Sequence, residues 1–130
     1  MRCLRTANWK YILNLHPEFA FTTHIDLPGA LGQRGYFASW EAAANSNTEA
    51  AVIVRRYHER PPEELYDLQA DPQEQHNLAS DPRMASQLKE LRDELEAWMS
   101  EQGDQRKVYS QPRLLSDPSS YGPNAVGGND

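Results

Sequence analysis

The chain has 130 residues, of which 38% are hydrophobic and 25% charged, with a net charge of -6. That length allows one domain, and the apolar fraction, low for a globular chain, predicts a thin core or a face that another surface buries. No run of 18 apolar residues is available to span a membrane, no N-terminal segment has the order of a signal peptide, and the single cysteine, Cys3, excludes an internal disulfide and a cysteine-based zinc site.

The charge is unevenly placed. Residues 1–62 carry seven Arg/Lys against five Asp/Glu, residues 63–104 three against twelve, and residues 105–130 three against two. The acidic middle third would repel phosphates, so no nucleic-acid partner is expected there.

In chain order, residues 2–14 read as two short strands joined at Ala7-Asn8. Trp9, Tyr11 and Leu13 alternate with Lys10, Ile12 and Asn14, the period of a strand with one drier face. Residues 15–36 contain Pro17, Pro28, Gly29, Gly32 and Gly35 and form a long loop of the kind that often carries function. Residues 37–58 look helical in two pieces, interrupted at Asn45 to Asn47, with Thr48 as cap of the second piece. The β-branched run Val52-Ile53-Val54 leaves a strand over 51–57 as the alternative.

Pro61-Pro62 ends that segment and "EELYDL" follows as a strand, with Leu65 and either Tyr66 or Leu68 turned inward. Asp71-Pro72-Gln73-Glu74 has the order of a helix start, with Asp as N-cap, Pro at the first position and Glu reaching back. Asp81-Pro82 repeats it and opens a helix of about 20 residues whose stripe is Met84, Leu88, Leu91, Leu95, Trp98 and Met99. Gly103 sits where such a helix would end, and residues 104–130, rich in Pro, Gly, Ser and Asn, read as an extended tail.

The carboxylates of residues 61–82 invite a reading as a calcium loop. Counted from Asp67, however, the turn glycine is Pro72 and the bidentate glutamate is Leu78, so the template fails. Glu63 and Glu64 are adjacent on a strand and point to opposite faces, which excludes a shared acid/base pair. Capping and solvated charge is the better account. Cys3 lies on a strand without a nucleophile elbow and is expected to be a half-buried structural thiol.

His16, His24, His58 and His76 have no helical metal spacing, so no metal site is assigned. His76 falls in the capping turn. His24, beside Asp26 on the long loop, is the histidine suited to an anionic ligand, with a surface role as the alternative. Arg55, Arg56 and Arg60 form a basic cluster able to hold a sulfate, phosphate or carboxylate; a solvated helix end explains them equally.

With those residues read, "EELYDLQADPQEQHNLASDP" followed by "LKELRDELEAWM" resembles the C-terminal end of sulfatases, with the nearest likeness to the heparan N-sulfatase branch. The opening "MRCLRTANWKYILNLHPE" looks like the first strands of that family's C-terminal subdomain, so the likeness runs from residue 2 to about 102. It implies an α+β fold: an antiparallel sheet of about four strands with a long C-terminal helix packed across it, in residues 1–103, and the tail 104–130 beyond. Strand candidates are 2–7, 9–15 and 63–68, the fourth lying in 51–57 or outside this chain.

The resemblance also implies a catalytic domain of the same polypeptide as partner, and a sulfated carbohydrate as substrate. His24, Arg55 and Arg56 are the candidate contacts to that sugar. The thin core then has a reason, since one face, including the hairpin and the loop 16–36, would dock on the catalytic domain. No catalytic residue is carried over. Cys3-Leu4-Arg5-Thr6-Ala7 lacks the proline of the formylglycine motif, and the family's calcium ligands are absent, so calcium and formylglycine would belong to the catalytic domain.

A periplasmic, secreted or lysosomal location follows from resemblance alone. The alternative to an inactive sulfatase subdomain is a free-standing interaction or carbohydrate-binding module of the same fold. A complete small hydrolase is disfavoured by the missing nucleophile motif.

Overall fold

The computed structural model describes residues 1–21, 23 and 35–106, which fall in two compact units. One is made of residues 1–17 and 61–106, and the other lies within residues 18–60. The expected tail from 107 onward and His24 lie outside the described residues.

The first unit is α+β. Strands β1 (Arg2–Arg5), β2 (Trp9–Leu13) and β3 (Glu63–Asp67) form an antiparallel sheet in that order, with helix α3 (Ala85–Glu101) on one face. Pairing runs Leu4 to Tyr11 and Tyr11 to Leu65, so these side chains share a face. The β1–β2 turn forms as expected at Ala7-Asn8, and the Thr6 side chain closes it. Its hydroxyl accepts from Trp9 N at 3.0 Å and Asn8 N at 3.3 Å, while Thr6 N donates to Trp9 O at 2.9 Å. A side-chain acceptor does here what a glycine-containing turn does elsewhere.

Tyr11 and Leu65 pack with Leu88, Leu91, Leu95 and Met99, and Leu4, Trp9, Leu13, Leu78 and Met84 close the rim. The α3 stripe is as read, except that Trp98 is 53% exposed. At 100° per residue it falls to the side of the line through Leu88, Leu95 and Met99, and Met99 fills the core position instead.

The opposite sheet face is buried too. Ile12, Tyr66 and Leu68 cluster there, with Asn14 and Glu64 buried among polar partners. The expectation of one drier face, and of a choice between Tyr66 and Leu68, is therefore corrected. Both are buried, in one cluster with Ile12.

The sheet has three described strands rather than four. Residues 51–57, the candidate fourth, lie in α2 (Thr48–His58), which pairs in sequence with α1 (Gly35–Ala44) in the second unit. The β-branched run is overridden by helix-end chemistry. Asn47, in an extended conformation, accepts from Ala50 N at 3.1 Å, Glu49 sits in the first turn, and Arg55, Arg56 and His58 sit in the last. The cap is thus Asn47 and not Thr48.

Asp71-Pro72 opens no helix. Asp71 accepts from His76 N at 2.7 Å, and Glu74 takes a left-handed conformation, φ 56°, that a helix cannot continue through. Instead of capping, the Glu74 carboxylate lies against Lys10 and Arg5 on the sheet. Asp81-Pro82 opens a 3-10 turn, Pro82–Met84, before α3, with Asp81 accepting from Arg83 N at 2.9 Å.

Gly103 terminates α3 with φ 66°. Asp104 N donates to Met99 O at 2.8 Å and Gly103 N to Ser100 O at 3.1 Å, the paired bonds of a Schellman end. A Cβ at Gly103 would meet nothing within 4 Å, so the cost of a side chain there is backbone strain alone. Gly103→Ala is expected to lower stability by about 1 kcal/mol, read as a shift in urea midpoint at unchanged slope.

Candidate functional site

The basic cluster expected to hold an anion belongs to the second unit. Its centre is Phe37 of α1, 1% exposed, with ring centroids 4.9 Å from Tyr57, 5.6 Å from His58 and 5.9 Å from Trp40. Phe21 meets Tyr57 edge-on at 5.6 Å. Two backbone-directed bonds fix Phe21 against the end of α2. Phe21 N donates to His58 O at 2.7 Å, and His58 Nδ1 donates to Phe21 O at 3.0 Å, which places the ring proton on Nδ1 because a carbonyl only accepts. Thr23 Oγ1 and the Tyr57 hydroxyl are hydrogen-bonded at 2.7 Å.

The three arginines are not gathered into one clamp. Arg60 lays its guanidinium over the Phe21 ring at 4.7 Å, a cation–π contact. Arg55 and Arg56 are both exposed on α2, and successive helical residues project about 100° apart, so they address different directions. Both, with His58, complement the negative end of the helix dipole.

In the first unit the carboxylates of the 61–82 stretch are committed to structure. Glu63 accepts from Arg92 Nε at 2.7 Å and its terminal nitrogen at 2.8 Å, and from the Tyr11 hydroxyl at 2.6 Å. The Arg92 hydrogen bonds outweigh burial and hold the Glu63 carboxyl below its ordinary value. Glu64, 3% exposed on the opposite face, accepts from Asn14 Nδ2 at 2.8 Å and the Tyr66 hydroxyl at 2.5 Å.

Asp67 accepts from the backbone of Gln69 and Ala70. Asp71 and Asp81 cap turns, and hydrogen bonds from Arg83 lower Asp81 to about 2. Among the described residues no group of three or more His, Cys, Asp or Glu is placed to hold a metal ion. The donor set does not fit calcium, because these oxygens already face amides, guanidinium groups and hydroxyls.

Cys3 is exposed, not half-buried, because β1 is an edge strand and Cys3 projects from the face away from α3. Partial desolvation pushes its thiol up against the opposing pull of Lys10. That disfavours the thiolate a nucleophile needs.

The most informative residue missed in the sequence is Asn77. Its side chain accepts from Leu65 N at 2.9 Å and Ala79 N at 2.9 Å and donates to Glu63 O at 3.1 Å. With Leu78 N donating to Leu65 O at 2.8 Å, residues 77–78 act as a short surrogate strand along the outer edge of β3. The "ELYDL" and "HNLA" pieces of the signature are therefore two sides of one hydrogen-bonded ladder.

No family model matches the chain. It is 34% identical over 104 residues, 80% of its length, to an ulvan-active sulfatase of Formosa agariphila, and 36% identical over 104 residues, 79% of its length, to another ulvan-active sulfatase of that organism. It is also 49% identical over 51 residues, 39% of its length, to human N-sulphoglucosamine sulphohydrolase. The chain is homologous to sulfatases.

It spans only 17%, 18% and 10% of the lengths of these three sulfatases. The homology is therefore to one segment of a larger enzyme. The described elements of that segment are the three-stranded sheet with α3, and the α1–α2 pair. No helix among the described residues is long and apolar enough to cross a membrane.

Proposed function

We propose that this chain serves as the C-terminal subdomain of a sulfatase, docked on a catalytic domain of the same polypeptide and helping to shape the pocket for a sulfated sugar. The observation that carries the reading is the homology itself, which covers about four-fifths of this chain but less than a fifth of each ulvan-active sulfatase. The commitment of the carboxylates of residues 61–82 to caps, hydrogen bonds and ion pairs supports it, since turnover would then rest on calcium and formylglycine held by the catalytic domain. His24, Arg55 and Arg56 are the residues assigned to the sugar, the two arginines lying exposed on successive positions near the end of α2.

The test is an assay of the 130-residue chain with a sulfated chromogenic ester and calcium. Turnover at background is expected, and turnover above it overturns the reading. In a sulfatase carrying this segment, His24→Ala and Arg55→Ala are expected to raise KM for the sugar by about tenfold, and unchanged kcat/KM removes them from the pocket. Calorimetric binding of a sulfated oligosaccharide by the isolated chain would favour the free-standing module instead.

A further inference from the structure

The chain leaves the first unit and returns to it at one point. Asn14 N donates to Pro62 O at 2.9 Å and Asn14 Nδ2 to Pro61 O at 2.7 Å, with all three residues in that unit. These bonds continue the β2–β3 pairing past Leu13 and Glu63. The second unit closes its own ends in a similar way, through the two bonds between Phe21 and His58. Residues 18–60 are thus an insertion between β2 and β3, and the first unit holds the mouth of that insertion shut with its own bonds.

The two units differ in what holds them folded. In the first, Tyr11, Leu65, Leu91, Leu95 and Met99, each at most 3% exposed, bring β2, β3 and α3 into one core. Among the described residues of 18–60 only Phe37 is buried, while Phe19, Trp40, Val52 and Ile53 are exposed. Helix α1 has 10 residues and α2 has 11, short of the ~12–15 at which a helix begins to hold by itself in water. Helices that short depend on packing, and here the packing centres on Phe37 against Tyr57, His58 and Trp40.

We infer that α1 and α2 open together as one cooperative unit, pinned by Phe37, while the sheet and α3 stay folded. The first unit loses little when this happens, because Asn14 still holds Pro61 and Pro62 and a long loop with its ends held adds little closure entropy. The result is a conformational switch within the insertion. Arg55 and Arg56 project as α2 sets them only in the closed state, so a ligand that needs that geometry also selects the closed state. The inference is independent of the sulfatase reading, because it uses only burial and bonding within each unit.

Amide hydrogen exchange of the full chain at neutral pH, resolved by residue, tests it. Amides of α1 and α2 are expected to exchange about 100-fold or more faster than those of Tyr11, Leu65 and Leu95. Phe37→Ala is expected to speed exchange in α1 and α2 by a further 100-fold or so, and the milder Phe37→Leu by about tenfold, with both leaving the sheet and α3 unchanged. Asn77→Ala should do the converse, speeding exchange in β3 and α3 without touching α1 and α2. Equal protection in both units, or a Phe37 substitution that speeds exchange in both alike, overturns the inference.

Discussion

Replacing Asn77 with alanine is expected to lower the unfolding free energy by about 2–3 kcal/mol, through three backbone groups on buried or half-buried residues that lose their side-chain partner. Leu65 is fully buried, so its N–H cannot turn to bulk water when the Asn77 oxygen 2.9 Å away is removed. Glu63 O loses its donor at 3.1 Å in the same step, and Ala79 N its acceptor. For a unit of this size, each kcal/mol moves Tm by roughly 4–8 °C.

Thermal and urea unfolding followed by circular dichroism measures the loss. A change below about 0.5 kcal/mol would mean that water replaces the side chain along this edge. Asn77→Asp separates the two roles of the amide. A carboxylate keeps the acceptor for Leu65 N and Ala79 N but faces Glu63 O without a hydrogen to donate. Its deficit against the wild type should be intermediate at neutral pH and narrow as the carboxyl protonates and regains a donor.

What the sequence disclosed was local. The period-2 alternation of Trp9, Tyr11 and Leu13 predicts β2, and the stripe from Leu88 to Met99 with Gly103 behind it predicts α3 and its end. Both signals are set by neighbours within a turn or two. The same logic misread 51–57 as a possible strand, since β propensity is a weak preference that Asn47 capping and the charges at both helix ends override. It misread Asp71-Pro72-Gln73-Glu74 for a complementary reason. The caps were present, but Glu74 is drawn to Lys10, 64 positions earlier, and no window along the chain contains that partner.

The candidate site divides in the same way. That carboxylates of the acidic stretch would cap turns was legible, since Asp81 before Pro82 announces itself by residue type. That Asn77 completes β3 and that Arg92 grips Glu63 was not, since each role exists only once the sheet and helix are assembled. Arg60, grouped with Arg55 and Arg56 by sequence, is set apart by its contact with the Phe21 ring, a partner that lies 39 positions earlier.

The Tyr11–Glu63–Arg92 group joins β2, β3 and α3, and it makes the second large prediction. Arg92 of α3 binds Glu63 of β3 with two parallel bonds, 2.7 and 2.8 Å, and Tyr11 of β2 donates to the same carboxylate at 2.6 Å. Arg92→Met keeps the aliphatic stem against the sheet but strips the half-buried carboxylate of its charged partner. The expected loss at neutral pH is about 2 kcal/mol, less than for a fully buried pair because the guanidinium is about a third exposed.

The pH dependence follows from the directions of the shifts. The Glu63 carboxyl is held below its ordinary 4.5, chiefly by Arg92, so its contribution is complete above pH 4.5 and disappears as pH falls through the lowered value. The difference between wild type and Arg92→Met should therefore be level from about pH 6 to 8 and shrink in acid. Burial and the Glu63 bond push the Tyr11 hydroxyl well above its ordinary 10.0. Its contribution is intact below pH 10 and is lost as pH rises toward the raised value, a loss that Tyr11→Phe should remove. Urea unfolding from pH 3 to 10.5 separates the two limbs. A wild-type advantage over Arg92→Met that persists undiminished at pH 3 would show that packing of the Arg92 stem, and not its pairing with Glu63, holds α3 on the sheet.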